Sequence, residues 1–431
     1  GSVSGAAESK VSFTRTKRGI APRGVSTWNI FGADTNVFTG ASVTNLINRM
    51  VTNGMVRWGC NDLTLDEGIS FRGNGTGTPL YPAAVPFDYS YDANRIWRAD
   101  TNRFPGGLEA IVAYAHMNGV KVHLYCAPAL FGSAGYWMPF GSNHVDMVNN
   151  VSNLVNHVGI DGFKFESGFA GSLHEFVNEA VRWGKPVWIN SPADNGYEPQ
   201  FADTVNAWRV GTGLYGDINA RVDRLYQWAD VANFSMIRPG HVVDFDMLAT
   251  HPAYWGIDSP YIKNAGTKYT GSANILAMMM LANANVWYSQ LPAYEGGSTR
   301  YCSFYEDYNN PHLNAVQSDF TKPVFLLKSN YGAFYYAKFL ADGSVALGIQ
   351  NRMATNKTEV VNFDELFGNH YPTMVQSTNR NLCTVFDLWR GVTLGYYTNT
   401  YSASVAYTNA NKWGATNFVA AGTGTYTITK V

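Results

Sequence analysis

At 431 residues, 46% of them hydrophobic, the chain can bury a sizeable core and exceeds one ordinary domain, although a barrel absorbs much of that length. A formal net charge of −1 without a basic tract argues against nucleic acid or an anionic membrane as partner, and no apolar run reaches membrane-spanning length. Charged residues are 15%, well below the usual quarter, so Asn, Thr, Ser, Gly and Tyr cover the surface, a composition that goes with extracellular, sugar-handling proteins.

Residues 1–17 are small and polar and read as a linker or tail, the opening Gly-Ser as an expression scar from which a native leader has been trimmed. Short apolar runs then alternate with helical spacing. Gly24 to Trp28 reads as a first strand, Ser42 to Val51 as a helix, and Met55 to Trp58 as a second strand. An insertion rich in Gly, Pro and Tyr, Gly68 to Arg103, precedes a helix at Gly107 to Met117 and a strand at Val120 to Tyr125. Val145 to Val158 carries apolar residues at helical spacing and Gly159 stops it. Asp161 to Glu166 is a fourth strand, Leu173 to Trp183 a helix, and Pro186 to Asn190 a fifth strand. Thr204 to Trp208, the run before Asp244, and Asn285 to Tyr288 supply three more. Eight strand-and-helix units in roughly 300 residues predict an α/β fold, a (β/α)8 TIM barrel over residues 18–325.

Past residue 325 the pattern changes. Tyr335 to Leu340, the turn Asp342-Gly343 and Ser344 to Ile349 form a hairpin signal. Asn362 to Phe367, Thr384 to Trp389, Thr400 to Tyr407 and Thr425 to Thr429 continue as short strands, so residues 326–431 read as a C-terminal antiparallel β-sandwich. The four cysteines contain no CxxC pair, so no structural zinc site is expected. Cys60 and Cys126 each close a predicted strand, which puts them near one another at the barrel mouth as free thiols or as a pair.

Catalytic groups of parallel α/β folds collect at the carboxyl ends of the strands. The predicted ends carry Trp28 and Asn29, Asn61 and Asp62, Tyr125, Lys164 and Glu166, Asn190 and Ser191, Arg209 and Asp217, then Asp244 and Asp246. Glycoside hydrolysis needs two carboxyl groups flanking the scissile bond and polar groups that fork onto sugar hydroxyls, and this ring supplies both. No phosphate loop, metal-ligand spacing or cofactor motif competes. Aromatics at 14%, including 12 Trp and 26 Tyr, offer flat faces for sugar rings. Each residue also has a plain structural reading. Glu166 caps the next helix or pairs with Lys164, Asp217 caps the helix that Ile218 begins, and Trp28 and Trp208 are core. His123, inside a strand, reads as a core histidine, and Met278 to Met280 as helix packing.

Together these motifs resemble family 27 glycoside hydrolases, the α-galactosidase and α-N-acetylgalactosaminidase group. Pro22-Arg-Gly-Val-Ser-Thr-Trp28-Asn-Ile-Phe31 is similar to the family's opening strand. Asn61-Asp62 is matched with its sugar-binding Asp-Asp pair, Lys121 to Tyr125 with its third strand, and Lys164-Phe-Glu166 with its Lys-Tyr-Asp nucleophile motif. Trp208-Arg209 followed by Gly216-Asp217-Ile218 resembles the acid/base segment, and Asp244-Phe-Asp246-Met-Leu248 its Asp-Pro-Asp-Met-Leu. Ala337-Lys338 to Asn351-Arg352, with Asp342 to Ala346, and Asp387-Leu-Trp389 resemble its β-sandwich, so the likeness runs in order from about residue 18 to the end.

The resemblance implies a double displacement in which Glu166 attacks the anomeric carbon and Asp217 protonates the leaving oxygen and then activates water. Lys164, two residues before Glu166, would bind a hydroxyl and keep Glu166 ionised. Trp28, Asn61, Asp62, Tyr125, Asn190, Trp208, Arg209 and Asp246 would hold the oligo- or polysaccharide. Asp244 would do the same or orient Lys164 or Arg209. The chain departs from the family at Glu166, where the family has aspartate, at Asn61, at Val25 in place of an aromatic, and at Ser167, which removes a disulfide partner. The segment between Arg209 and Asp217 also looks about three residues longer. These departures bear on galactose specificity more than on glycoside chemistry. A secreted α-galactosidase-like hydrolase is the leading expectation, with a non-catalytic carbohydrate-binding protein on the same scaffold as the alternative. The composition and tail would also suit a module of a larger surface or viral-tail protein.

Overall fold

The computed structural model describes residues 21–31, 37–66, 69, 92, 94, 96–126, 144–165, 182, 187–191, 206–209, 242–244, 247–248, 283, 286–288, 310–322, 324–330, 333–351, 357–368, 382–388, 391–405 and 423–430. The chain folds as a (β/α)8 barrel followed by an antiparallel β domain, and it forms two compact units, Gly1–Gly213 with Trp287–Tyr305, and Leu214–Val286 with Glu306–Val431.

In the first unit, β1 (Arg23–Ser26), β2 (Asp62–Leu65), β3 (Lys121–Cys126), β4 (Gly162–Phe165), β5 (Trp188–Ser191) and β6 (Ala207–Arg209) pair in parallel in that order. A short helix, α1 (Trp28–Phe31), follows β1. The helix α2 (Gly40–Thr52) turns Val43, Leu46, Ile47 and Met50 inward, the 3.6-residue stripe of an amphipathic helix. It starts on a capping box: the Ser42 N–H donates to Thr39 Oγ1 at 3.2 Å and the Thr39 N–H to Ser42 Oγ at 2.9 Å. The helix α3 (Gly107–Met117) buries Leu108, Ile111, Val112 and Ala115 in the same way. The helix α4 (His144–Ser152) runs into a π turn, Asn153–Val158, and Gly159 ends it at φ 86°.

The second strand lies later than the sequence reading put it. Val56–Trp58 is a 3-10 turn between Gly54 and Gly59, both at positive φ, and β2 begins only at Asp62. Two left-handed glycines close a tight turn that no strand can hold. Asn61 and Asp62 therefore stand at the amino end of β2, and Cys60 precedes it. Cys126 closes β3, whose first residue is in register with Asp62, so the two thiols are separated by roughly the length of that strand, about 17 Å. Cys60, Cys126 and Cys383 are all buried and none of them forms a disulfide.

Register defines the barrel interior. Ser26, Thr64, His123, Gly162 and Trp188 form one row, and Tyr125, Lys164, Asn190 and Ala207 the next row toward the carboxyl ends. Two glycines are required by these contacts. A Cβ on Gly24 would sit 1.6 Å from the Asp62 carbonyl oxygen, and one on Gly162 2.2 Å from His123 Nδ1. The remaining barrel strands are β7 (Val242–Asp244), the two-residue β8 (Met247–Leu248) and β9 (Val286–Tyr288). All but Arg182 of the predicted helix Leu173 to Trp183, most of the Gly68 to Arg103 insertion, Cys302 and Met278 to Met280 lie outside the described residues. Among the described residues, no helix is long and apolar enough to cross a membrane.

The β domain opens with the helix α5 (Pro311–Ser318), capped by Asn310, and continues in two sheets. β10 (Phe325–Asn330), β11 (Ala333–Phe339), β12 (Val345–Asn351), β17 (Thr423–Lys430), β14 (Leu382–Asp387) and β15 (Val392–Thr398) form the larger one in that order, all antiparallel. β13 (Lys357–Asn362) and β16 (Thr400–Val405) form the smaller. Tyr335, Ala337, Leu347 and Ile349 of one sheet and Val361, Tyr401 and Ala403 of the other share one buried core, which makes this a sandwich. The expected strand at Asn362 to Phe367 is instead a strand end followed by the helix α6 (Phe363–Gly368). Asn362 Oδ1 accepts the N–H groups of Asp364 and Glu365 at 2.8 and 3.1 Å, an N-cap that stops the strand.

Candidate active site

The carboxyl ends of β1, β2 and β4 meet in one buried polar cluster. Lys164 extends from β4 across β3 and its Nζ donates to Asp66 Oδ2 at 2.8 Å, with the two side chains only 4% and 3% exposed. Its Nζ passes 5.8 Å from the centre of the Tyr125 ring on the intervening strand. Ser26 Oγ donates to the same Asp66 oxygen at 3.1 Å, and the Asp66 N–H donates to Thr27 Oγ1 at 2.8 Å. Thr27 is itself fixed through its N–H to the Thr64 carbonyl at 3.0 Å. The last two residues leaving β1 thus anchor the residue leaving β2, and that residue holds the β4 lysine. A buried pair of this kind is weak evidence for net stability, because desolvation offsets the attraction. Its place at the carboxyl edge of the parallel strands, where barrels of this kind collect their active-site groups, makes it a candidate donor–acceptor pair for a polar ligand.

Asp66 was not among the residues picked from the sequence. The signal was present: Asp66 lies four residues past Asp62, hence on the same strand face and one strand length closer to the carboxyl edge. Asn61 and Asp62 do other work at the opposite end of β2. Asn61 Nδ2 donates to the Gly119 carbonyl at 3.0 Å, while Asp62 accepts the Arg23 N–H at 3.1 Å and lies 2.8 Å from His123 Nε2. His123 is buried, packs edge-on against Trp287 at 5.3 Å, and is a satisfied core histidine.

Tyr125, Lys164 and Asn190 share the register row that leads to the carboxyl edge, and Asn190 is 2% exposed. Asp244 is fully buried at the end of β7. Trp28 opens α1, and Trp208 and Arg209 end β6, with Trp208 in register with Ser191; only their backbone positions are described. Glu166, Asp217 and Asp246 lie outside the described residues. The expected pairing of Lys164 with Glu166 therefore lies outside the described residues, while Lys164 also pairs with Asp66. Among the described residues, no group of three or more His, Cys, Asp or Glu side chains is placed to hold a metal ion. Cys60 and Cys126 are poor nucleophiles: burial raises the Cys60 pKa to about 12 and that of Cys126 well above its ordinary value.

No protein-family model matches the chain. Among curated proteins it is 22% identical over 290 residues to "Probable alpha-galactosidase B" of Penicillium simplicissimum, covering 56% of this chain and 57% of that one. It is 21% identical over 238 residues to "Alpha-galactosidase A" of Cellvibrio japonicus, covering 52% and 54%. The chain thus spans little more than half the length of the curated relatives it matches. Solved structures agree over nearly the whole chain. Alpha-galactosidase I from Mortierella vinacea superposes with a TM-score of 0.72 at 16% identity, covering 96% of this chain and 98% of that one. A GH27 β-L-arabinopyranosidase from Geobacillus stearothermophilus gives 0.72 at 15%, covering 97% and 98%. In sequence the chain is similar to the family 27 glycoside hydrolases, the α-galactosidase group, and it shares their fold.

Proposed function

We propose that the chain is a glycoside hydrolase that cleaves an α-linked galactose-like sugar from an oligo- or polysaccharide by a two-carboxylate, retaining mechanism. The observation that carries the reading is the buried Lys164–Asp66 pair at the carboxyl edge of the parallel strands. Lys164 Nζ and the Asp66 carboxylate present a donor and an acceptor side by side, the pattern that forks onto vicinal sugar hydroxyls. Glu166 follows Lys164 by two residues in the sequence, the spacing at which strand alternation would bring two side chains to one face.

In this reading the Glu166 carboxylate attacks the anomeric carbon while the bond to the leaving oxygen breaks. Asp217 gives that oxygen its proton. Water then adds to the anomeric carbon, losing a proton to Asp217 and freeing Glu166. Relative to the family's aspartate, the extra methylene of Glu166 moves the nucleophile by about 1–1.5 Å. The sugar must therefore sit that much further from the β4 backbone. α-D-Galactopyranosides and β-L-arabinopyranosides share their ring hydroxyl arrangement and differ at the hydroxymethyl group. Proteins named for both sugars share this fold, and in this reading the choice between them turns on the room left for the hydroxymethyl group. The low-charge surface supports an extracellular setting and a polysaccharide substrate.

The test is a proton NMR time course on α-galactosides, β-L-arabinopyranosides, α-glucosides and galactose-containing polysaccharides, with Glu166→Gln alongside. First release of the retained anomer, slowed at least about 10³-fold in Glu166→Gln, is the expected result. Release of the opposite anomer means inversion. Sugar binding without release from any substrate means a binding protein on this scaffold.

A further inference from the structure

Lys338 lies in the middle of β11 and is 0% exposed, yet among the described residues no carboxylate pairs with it. Its Nζ makes two hydrogen bonds, to Asn283 Oδ1 at 2.9 Å and to the Val316 carbonyl at 2.6 Å. Two acceptors match the two N–H bonds of a neutral amine; an ammonium would leave a third donor buried without a partner. Asn283 is also fully buried and held at φ 58°, a left-handed conformation that costs free energy unless its surroundings enforce it. They do: its Nδ2 donates to the carbonyls of Gln317 and Asp319 at 2.5 and 2.7 Å. One lysine and one asparagine thereby tie β11, the end of α5 and the turn three residues before β9 into a single closed network.

We propose that Lys338 is carried as an uncharged amine and acts with Asn283 as an acid-sensitive latch, fastening the turn that feeds β9 to the β domain. Burial is the main influence on its charge, lowering its pKa from the ordinary 10.5 to about 7, and the field of Asp319 partly opposes that. The Asp319 carboxylate stays outside the network, accepting the N–H groups of Ala341 and Thr321 at 2.7 and 2.8 Å. Other charged groups on the packed elements are engaged elsewhere. His312 of α5 stacks edge-on against Phe386 at 4.7 Å, and Lys328 of β10 pairs with Glu365 at 2.5 Å. Across the sheet Lys338 faces Ala346 of β12, which carries no charge.

The sign follows from linkage. The folded chain releases this proton near pH 7 and the unfolded chain near 10.5, so between those values the unfolded chain binds more protons and stability rises with pH. Below about pH 7 both states are protonated and the fold carries the full cost of a buried ammonium.

The test is reversible denaturation of the whole chain from pH 6 to 9.5, beside Lys338→Met. Expected is an unfolding constant that falls by up to about tenfold per pH unit above pH 7.5 in the wild type, relative to Lys338→Met. Identical pH dependence in the two overturns the latch. Should Lys338→Met not fold, 13Cε NMR of lysine-labelled wild type reads the charge directly, with Lys338→Arg giving the assignment. A resonance titrating near pH 7 supports the proposal, and one that stays at the ammonium position through pH 9 sinks it.

Discussion

Asp66 Oδ2 accepts from both Lys164 and Ser26, so each of these side chains is held by a group from a different strand. Removing one partner of such a buried pair costs more than the pair contributes, because the other charge is left uncompensated. Lys164→Met should destabilise the fold by about 3–5 kcal/mol and lower kcat/KM on the cleaved glycoside by at least about 100-fold. Adding Asp66→Asn should restore most of the stability, read by urea denaturation, and none of the activity. Recovery of both would mean the pair is packing only. At this scale Lys164, Tyr125 and Asn190 were legible from the sequence because each ends an apolar run. Asp66 was not, since polar residues alternate through β2 and just past it (Asp62, Thr64, then Asp66) and make the strand resemble a loop. Asp62 has the same chemistry as Asp66 and differs only in which end of the strand it occupies.

Among the elements, α2 shows how local chemistry sets a boundary. Thr39 and Ser42 each accept the other's backbone N–H, and the buried stripe from Val43 to Met50 follows at once. Thr39→Ala should cost about 1 kcal/mol of stability, read by denaturation, with hydrolysis rates unchanged, because Thr39 and Ser42 bond each other and not the Lys164 cluster. A loss below a few tenths would show that tertiary contacts alone hold this helix end. Stops were readable for a similar reason: Gly159, which ends the π turn after α4, and Gly343, in the turn between β11 and β12, adopt φ values of 86° and 81° that other residues avoid. Misread elements were those where a neighbour decides. Met55 to Trp58 has strand-like residues but is closed into a turn by Gly54 and Gly59. Phe363 to Phe367 has strand-like residues too, but the Asn362 cap turns them into helix. β15 escaped notice because it is an edge strand with Val392 and Tyr396 exposed, so it lacks a clean alternation.

Across the whole molecule, Cys60, Cys126 and Cys383 report on global unfolding, since each is fully buried and two have strongly raised pKa values. Under native conditions at pH 8, an aromatic disulfide reagent should modify none of the three. All three should react in step with loss of the near-ultraviolet circular dichroism signal. Fast labelling of Cys60 or Cys126 in the native protein would contradict their placement, and peptide mapping would identify it. By itself the sequence determined the α/β barrel and the β-sandwich after it, because periodicity, glycine stops and apolar runs are local properties of the chain. Only the tertiary structure decided that Asp66 rather than Asp62 meets Lys164, that Cys60 and Cys126 lie at opposite strand ends, and that Lys338 is buried with two acceptors. Those outcomes depend on strand register, which moves a side chain along the barrel axis by about 3.3 Å for each residue of shift and is set by packing between segments distant in sequence.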